Sequence, residues 1–216
     1  MAAGEIGRRD IDRGGKDAPA RIGWIGRASY NGLIITTGTS GAIGSKLKLG
    51  DVVVASDCVL KCATVFKNLN GTRVSSNVRL PSADFRSAAE KLLGANSGKL
   101  PSSDLPKIYW DGGQLGQRIT VVTVDFFAFD DVQDTYGLQG LGSVVETNDA
   151  ALGLACVRMA KPPPWLAIRN IADTQVAGSS LKANSTLAAQ MYNAYGFWTS
   201  VEGAVAVWAA IDGYPQ

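Results

Sequence analysis

The chain contains no histidine, so a Ser-His-Asp triad, an imidazole base and a histidine-held metal are all excluded. Acid–base chemistry falls instead to carboxylates, lysine, tyrosine or cysteine. Four separated stretches place such groups, or clustered backbone donors, where an α/β protein exposes them: residues 38–41 (Gly38, Thr39, Ser40, Gly41), the Asp125–Phe127 pair, the Asn148–Asp149 helix start, and Asp173. Backbone N–H groups and small hydroxyls beyond a strand suit an anion or a sugar. A carboxyl group leaving an apolar strand suits proton transfer, because burial raises its pKa toward neutrality. Each stretch also has a plain structural reading. Residues 38–41 serve equally as a tight turn between two buried strands, Asp149 as a dipole-favourable first-turn residue, and Asp173 as a turn or N-cap aspartate.

The elements that must position these groups can be read from the pattern. Residues 33–37 form a β-branched run, Gly38 permits a sharp turn, and Lys46, Lys48, Gly50 and Asp51 read as a surface turn before the strand Val52–Ala55. Ser82 is a good N-cap for a helix over 83–93, with Gly94 just past its end. Residues 96–106 read as an exposed connection and residues 118–124 as a strand. The cluster Phe126, Phe127 and Phe129 follows, bracketed by carboxylates; Phe126 and Phe129 read as core, and Phe127 as either core or a stacking face for a planar ring.

A short strand over 143–146 precedes a helix over 149–159, capped by Asn148, with Leu152, Cys156 and Met159 on one face. Residues 165–168 form another buried strand, and 169–173 carry the chain out of its carboxyl end. Two helices finish the protein, one over 182–195 ending at Gly196 and one over 201–211 opened by a Thr199–Glu202 capping box. Strands alternating with helices predict an α/β layered domain with a largely parallel sheet.

Composition bounds the partners. Lysine and arginine total 21 against 19 acidic residues, which gives no broad electrostatic case for nucleic acid or an anionic membrane, and 46% hydrophobic content supports one sizeable core. The basic stretch Arg8, Arg9, Arg13, Lys16, Arg21 and Arg27 is interrupted by Asp10, Asp12 and Asp17 and reads as a solvated segment. Cys58, Cys62 and Cys156 form no paired CxxC clusters and are odd in number, so neither a zinc site nor a disulfide framework is expected. Glu5, Arg8 and Arg9 do not fit a signal peptide, and no apolar run is long enough to span a bilayer, so a cytoplasmic protein is expected.

Taken in order, TTGTSGAIGSKLKLGDVVVASD, VDFF, ETNDAALGLAC and WLAIRNIAD make the chain resemble the nucleoside phosphorylase and nucleosidase superfamily from about Gly32 onward. The resemblance implies a three-layer α/β/α sandwich around a mixed, mostly parallel sheet over residues 32–216, with 1–31 an atypical N-terminal segment. It implies cleavage of the N-glycosidic bond of a purine nucleoside or related N-riboside. Asp173 would be the acid to the departing base, Phe127 the stacking aromatic with Asp125 beside it, and Thr39, with Gly38, Ser40 and Gly41, the lining of the phosphate or water site.

The family binds ribose hydroxyls with a glutamate that follows a methionine; here Asn148 and Asp149 stand at that place, with Glu146 as the other candidate. Arg169 is either a ligand contact or an ion-pair partner. Residues 1–29 do not read as the strand and glycine loop with which the family opens, so phosphate and water both stand as nucleophile. No cofactor or metal is implied, phosphate aside, and the partners implied are a nucleoside and further copies of the chain in a homo-oligomer. The competing expectation is a non-catalytic nucleoside-binding or storage protein of the same fold.

Overall fold

The computed structural model describes residues 32–78, 83–96, 99–101, 105–110 and 119–214. The basic stretch, Ser82, part of the 96–106 connection and Arg118 lie outside them. Eight strands form one mixed sheet in the order β4-β3-β6-β7-β1-β8-β2-β5, built from β1 (Ile34–Ala42), β2 (Val52–Ala55), β3 (Asp57–Lys61), β4 (Arg73–Ser75), β5 (Ile108–Trp110), β6 (Thr120–Val124), β7 (Val144–Glu146) and β8 (Trp165–Asp173). The pairs β1–β8, β2–β5, β3–β6 and β6–β7 are parallel, while β1–β7, β2–β8 and β3–β4 are antiparallel.

Strands buried on both faces read as unbroken apolar runs, and β2 shows why. Val52 and Val54 join one core with Leu166 and Ile168, whereas Val53 and Ala55 join the other with Trp165 and Ala167. Helices cover both faces. The first core is closed by α1 (Ala83–Asn96) through Ala89 and Leu93 and by α3 (Leu181–Asp212) through Ala206, Ala209 and Ala210; the second is closed by α2 (Asp149–Val157) through Cys156. Gly153 lets α2 approach closely, since a Cβ there would stand 2.7 Å from a Val74 methyl and 3.0 Å from the Trp165 ring. All three cysteines are free and buried. Among the described residues no helix is long and apolar enough to cross a membrane.

Several elements differ from the sequence expectation. Gly50 and Asp51 are buried rather than at the surface, because the Asp51 carboxylate accepts from the Lys48 and Lys107 amides at 2.8 and 2.9 Å and ties that turn to the edge strand. The first helix runs on through Gly94 to Asn96. The β8 strand does not end at Ile168; it carries Arg169, Asn170 and Asp173 as strand residues. A single 32-residue helix replaces the two expected at the C-terminus. Ser180 is its N-cap, accepting from the Ala183 amide at 3.3 Å, and Thr199 lies inside it, donating back to the Gly196 carbonyl at 3.1 Å.

Candidate active site

The strands β1 and β8 run parallel through the middle of the sheet, and their register brings the small residues of one against the polar residues of the other. Gly38 pairs with Arg169, Thr39 with Asn170 and Gly41 with Asp173. A cavity of about 510 Å³ opens at this place. Its floor is residues 37–41 with Arg169 and Asp173, one wall is Phe126 and Phe127, another is Val145 to Asn148, and α3 supplies Ala188, Tyr192 and Asn193.

Asp173 is the most chemically distinctive group there. Burial raises its carboxyl from 3.8 to about 6, so about a tenth of the molecules still hold a proton there at pH 7. Phe127 is 66% exposed yet lines the cavity, with its ring centroid 5.9 Å from that of Phe129, which is fully buried. An exposed aromatic face beside a proton donor can hold a planar base. Thr39 is half-buried on the floor, and Ser40 beside it is buried, its hydroxyl donating to the Asn170 carbonyl at 3.3 Å.

Behind the floor lies an ionic cluster that sequence reasoning had not assembled. The Arg169 guanidinium donates Nε–H to Asp149 Oδ2 at 2.8 Å and Nη2–H to the other Asp149 oxygen, and Nη2 stands 3.2 Å from Glu146 Oε2. The Thr36 hydroxyl donates to Asp149 Oδ1 at 2.6 Å. Glu146 accepts from the Thr123 hydroxyl and from the amides of Asn148 and Asp149, the last at 3.0 Å. It is therefore Glu146, and not the Asn148 side chain, that satisfies the first amides of α2.

Arg169, Asp149 and Glu146 are all buried. Burial pulls the guanidinium down, but the bond to Asp149 and the charges of Asp149 and Glu146 more than offset it, so the arginine stays above its ordinary value. Glu146 is pushed up, first by burial and then by the Asp149 charge.

This cluster decides which helix-start residue meets the cavity. Asp149 is 1% exposed, with its carboxylate engaged by Arg169 and Thr36, and it does not line the cavity. Thr147 and Asn148, both exposed, do. Glu146 reaches the wall with its oxygens already engaged. Asp125 lies apart: its carboxylate accepts from the amides of Ala63, Thr64 and Phe66 at 2.8 to 3.2 Å. Against the upward push of desolvation, those bonds hold it at about 2. Arg169 Nη1, by contrast, faces the floor, since a Cβ on Gly38 would stand 2.5 Å from it.

Sequence reasoning missed the α3 contribution. Ala188, Ala189, Tyr192 and Asn193 share one helical face at i, i+1, i+4 and i+5, a signal visible in the sequence, but nothing local says which sheet end that face covers. Among the described residues no group of three or more Cys, Asp or Glu side chains is disposed to hold a metal ion.

No protein-family model matches the chain, and no curated protein sequence does. Solved structures do match in fold. A 5'-methylthioadenosine/S-adenosylhomocysteine nucleosidase from Colwellia psychrerythraea, solved with adenine, superposes with a TM-score of 0.55 at 20% identity over 91% of this chain and 73% of that one. The corresponding nucleosidase from Neisseria meningitidis, solved with methylthio-immucillin-A, gives 0.54 at 17% identity over 89% and 74%. Futalosine hydrolase from Helicobacter pylori gives 0.50 at 14% identity, and the chain spans 66% of its length. The chain thus shares the mixed-sheet α/β fold of these nucleosidases.

Proposed function

We propose that the protein cleaves the N-glycosidic bond of a purine nucleoside or a related N-riboside. The observation that carries this reading is the Asp173 carboxyl, proton-holding to about pH 6, in one cavity with the exposed Phe127 ring and the Thr39 hydroxyl. Breaking such a bond builds positive charge on the sugar and negative charge on the leaving base. With the base against Phe127, Asp173 delivers a proton to its imidazole nitrogen as the bond lengthens, so the base departs neutral. The sugar then faces Thr147 and Asn148, whose hydroxyl and amide hydrogen-bond its hydroxyl groups. The nucleophile, water or phosphate, enters on the floor, where Thr39 and Arg169 Nη1 orient it opposite the leaving base.

The nucleosidase structures that share the fold support the reaction class. The apolar exposure of Phe197 and Trp208 on α3 supports a homo-oligomer, here placed in the cytoplasm. The test is release of free base from adenosine, inosine and methylthioadenosine by the purified protein, with and without phosphate. Phosphate-independent release identifies a hydrolase and phosphate-dependent release a phosphorylase. Absence of base release from all three, combined with nucleoside binding, identifies a binding protein instead.

A further inference from the structure

A second cavity, of about 620 Å³, lies where the loop after β1 meets the loop before β7. Its lining includes two cations, Lys46 and Arg73, and no carboxylate. Arg73 has one nitrogen 3.5 Å from Asp57; Asp57 itself is buried, with its oxygens bonded to the Ser75 and Thr120 hydroxyls. The remaining guanidinium donors are open to a ligand, and the Arg73 side chain is 53% exposed.

Two glycine turns frame the cations. Gly44 and Gly140 take left-handed φ values of 77° and 78°, and a Cβ on either would meet nothing within 4 Å. Among the described residues no hydrogen bond engages the amides of Ser45, Lys46 or Gly140. Amides in such turns, set beside the Lys46 ammonium and an Arg73 guanidinium that Asp57 engages through one nitrogen only, form an anion-binding concavity.

We propose that this cavity binds the phosphate group of a small molecule, at a site separate from the candidate active site. Lys46 supplies a point charge, Arg73 two parallel N–H donors, and the turn amides the remaining bonds. The two cavities meet along β1 and β7: Gly41 and Val145 within these strands line the first, and Ile43 and Ser143, each one residue beyond its strand, line the second. A ligand in the second is thereby placed two residues along each chain segment from the lining of the first. The proposal stands apart from the nucleoside reading, because neither Asp173 nor Phe127 enters it.

The test is a titration of the ¹⁵N-labelled protein with inorganic phosphate, followed by amide chemical shifts. Saturable shifts at Ser45, Lys46 and Gly140 are expected, unchanged in Thr39→Val, which reports on phosphate at the first cavity. The double variant Lys46→Ala/Arg73→Ala is expected to weaken this binding at least ~10-fold, as loss of charge-assisted bonds does. Gly140→Asp and Gly140→Asn both tolerate a left-handed backbone, so they separate charge from shape: Asn should retain binding and Asp abolish it. Shifts that do not saturate, that disappear in Thr39→Val, or that survive equally in Gly140→Asp would overturn the proposal.

Discussion

Gly41 and Asp173 face one another across the β1–β8 pair, and the missing side chain of the first is what admits the carboxylate of the second: a Cβ at position 41 would stand 2.7 Å from Asp173 Oδ2. The obstructing atom is the end of a side chain, so the strand would not have to move; the carboxylate would. Gly41→Ala is therefore expected to fold with about wild-type stability, within ~1–2 kcal/mol, while base release falls on the order of 10² as the acid leaves its position. Thermal denaturation and initial rates on one preparation separate the two effects. Equal loss of both would contradict the placement.

The pH dependence follows from the same carboxyl. A group that must be protonated, and whose carboxyl titrates at about 6, gives a kcat/KM that is flat at low pH and falls tenfold per unit above about 6. Asp173→Asn should lower kcat by on the order of 10² to 10⁴ and remove this limb altogether. A limb that persists in the asparagine variant would assign the acid elsewhere.

The ion pair behind the floor yields a stability test. Removing one partner of a buried pair strands the other charge at a cost of about 3–5 kcal/mol, whereas removing both is much milder. Because Glu146 also neutralises Arg169, Asp149→Ala is expected to destabilise by less than that, and Asp149→Ala/Glu146→Gln, which strands the guanidinium, by roughly the full amount. Urea midpoints check this. A side chain placed on the cavity wall rather than behind it would affect binding and leave the midpoint unmoved.

Much of this site could be read from residue type. Phe127 and Asp173 were identifiable at strand ends, and Thr39 by its small-residue setting, although residues 38–41 continue β1 to Ala42 where the sequence suggested a turn at Gly38; all three line one cavity. What could not be read was partner identity. Arg169 and Asn170 looked like chain leaving the sheet, yet they remain in β8 because Asp149 and Glu146 neutralise the first and the Thr199 hydroxyl, 3.0 Å away, bonds the second. The residue proposed to meet the sugar turns on a single position at the start of α2: Asp149 faces Arg169, and its neighbour Asn148 faces the cavity. Gly196 reads as a helix end from propensity alone, but in place it is buried, with the Tyr192 ring 3.4 Å from where a Cβ would stand, and the helix continues.

Asn148 carries a specificity prediction. With the Asp149 carboxylate withdrawn, the wall beside the proposed sugar offers an amide rather than a charge. Asn148→Ala should therefore raise KM for a riboside by about 5- to 10-fold, the worth of one neutral hydrogen bond, and change KM for the matching 2'-deoxyriboside much less. Parallel KM series on the two sugars measure the difference. Equal effects on both would place the 2'-hydroxyl elsewhere.

Glu202 supplies a test that does not involve the site. It lies within α3, is 1% exposed, and neither carboxyl oxygen has a hydrogen-bond partner; burial raises it from 4.5 to about 7. The folded protein therefore holds a proton here that the unfolded chain gives up between those values, and where the folded state binds more protons, stability falls as pH rises. The decline should begin near pH 4.5, level off above about 7, and amount to on the order of 3 kcal/mol. Asp173 titrates with the same sign, so the wild-type curve alone mixes the two. Glu202→Gln removes only its own titration and still leaves a polar group in the same apolar place. The stability of the variant relative to wild type is thus expected to rise steadily from pH 4.5 to 7 and to be constant on either side, in denaturation midpoints taken across that range. A difference that stays constant throughout would mean that the ionised carboxylate is well accommodated where it lies.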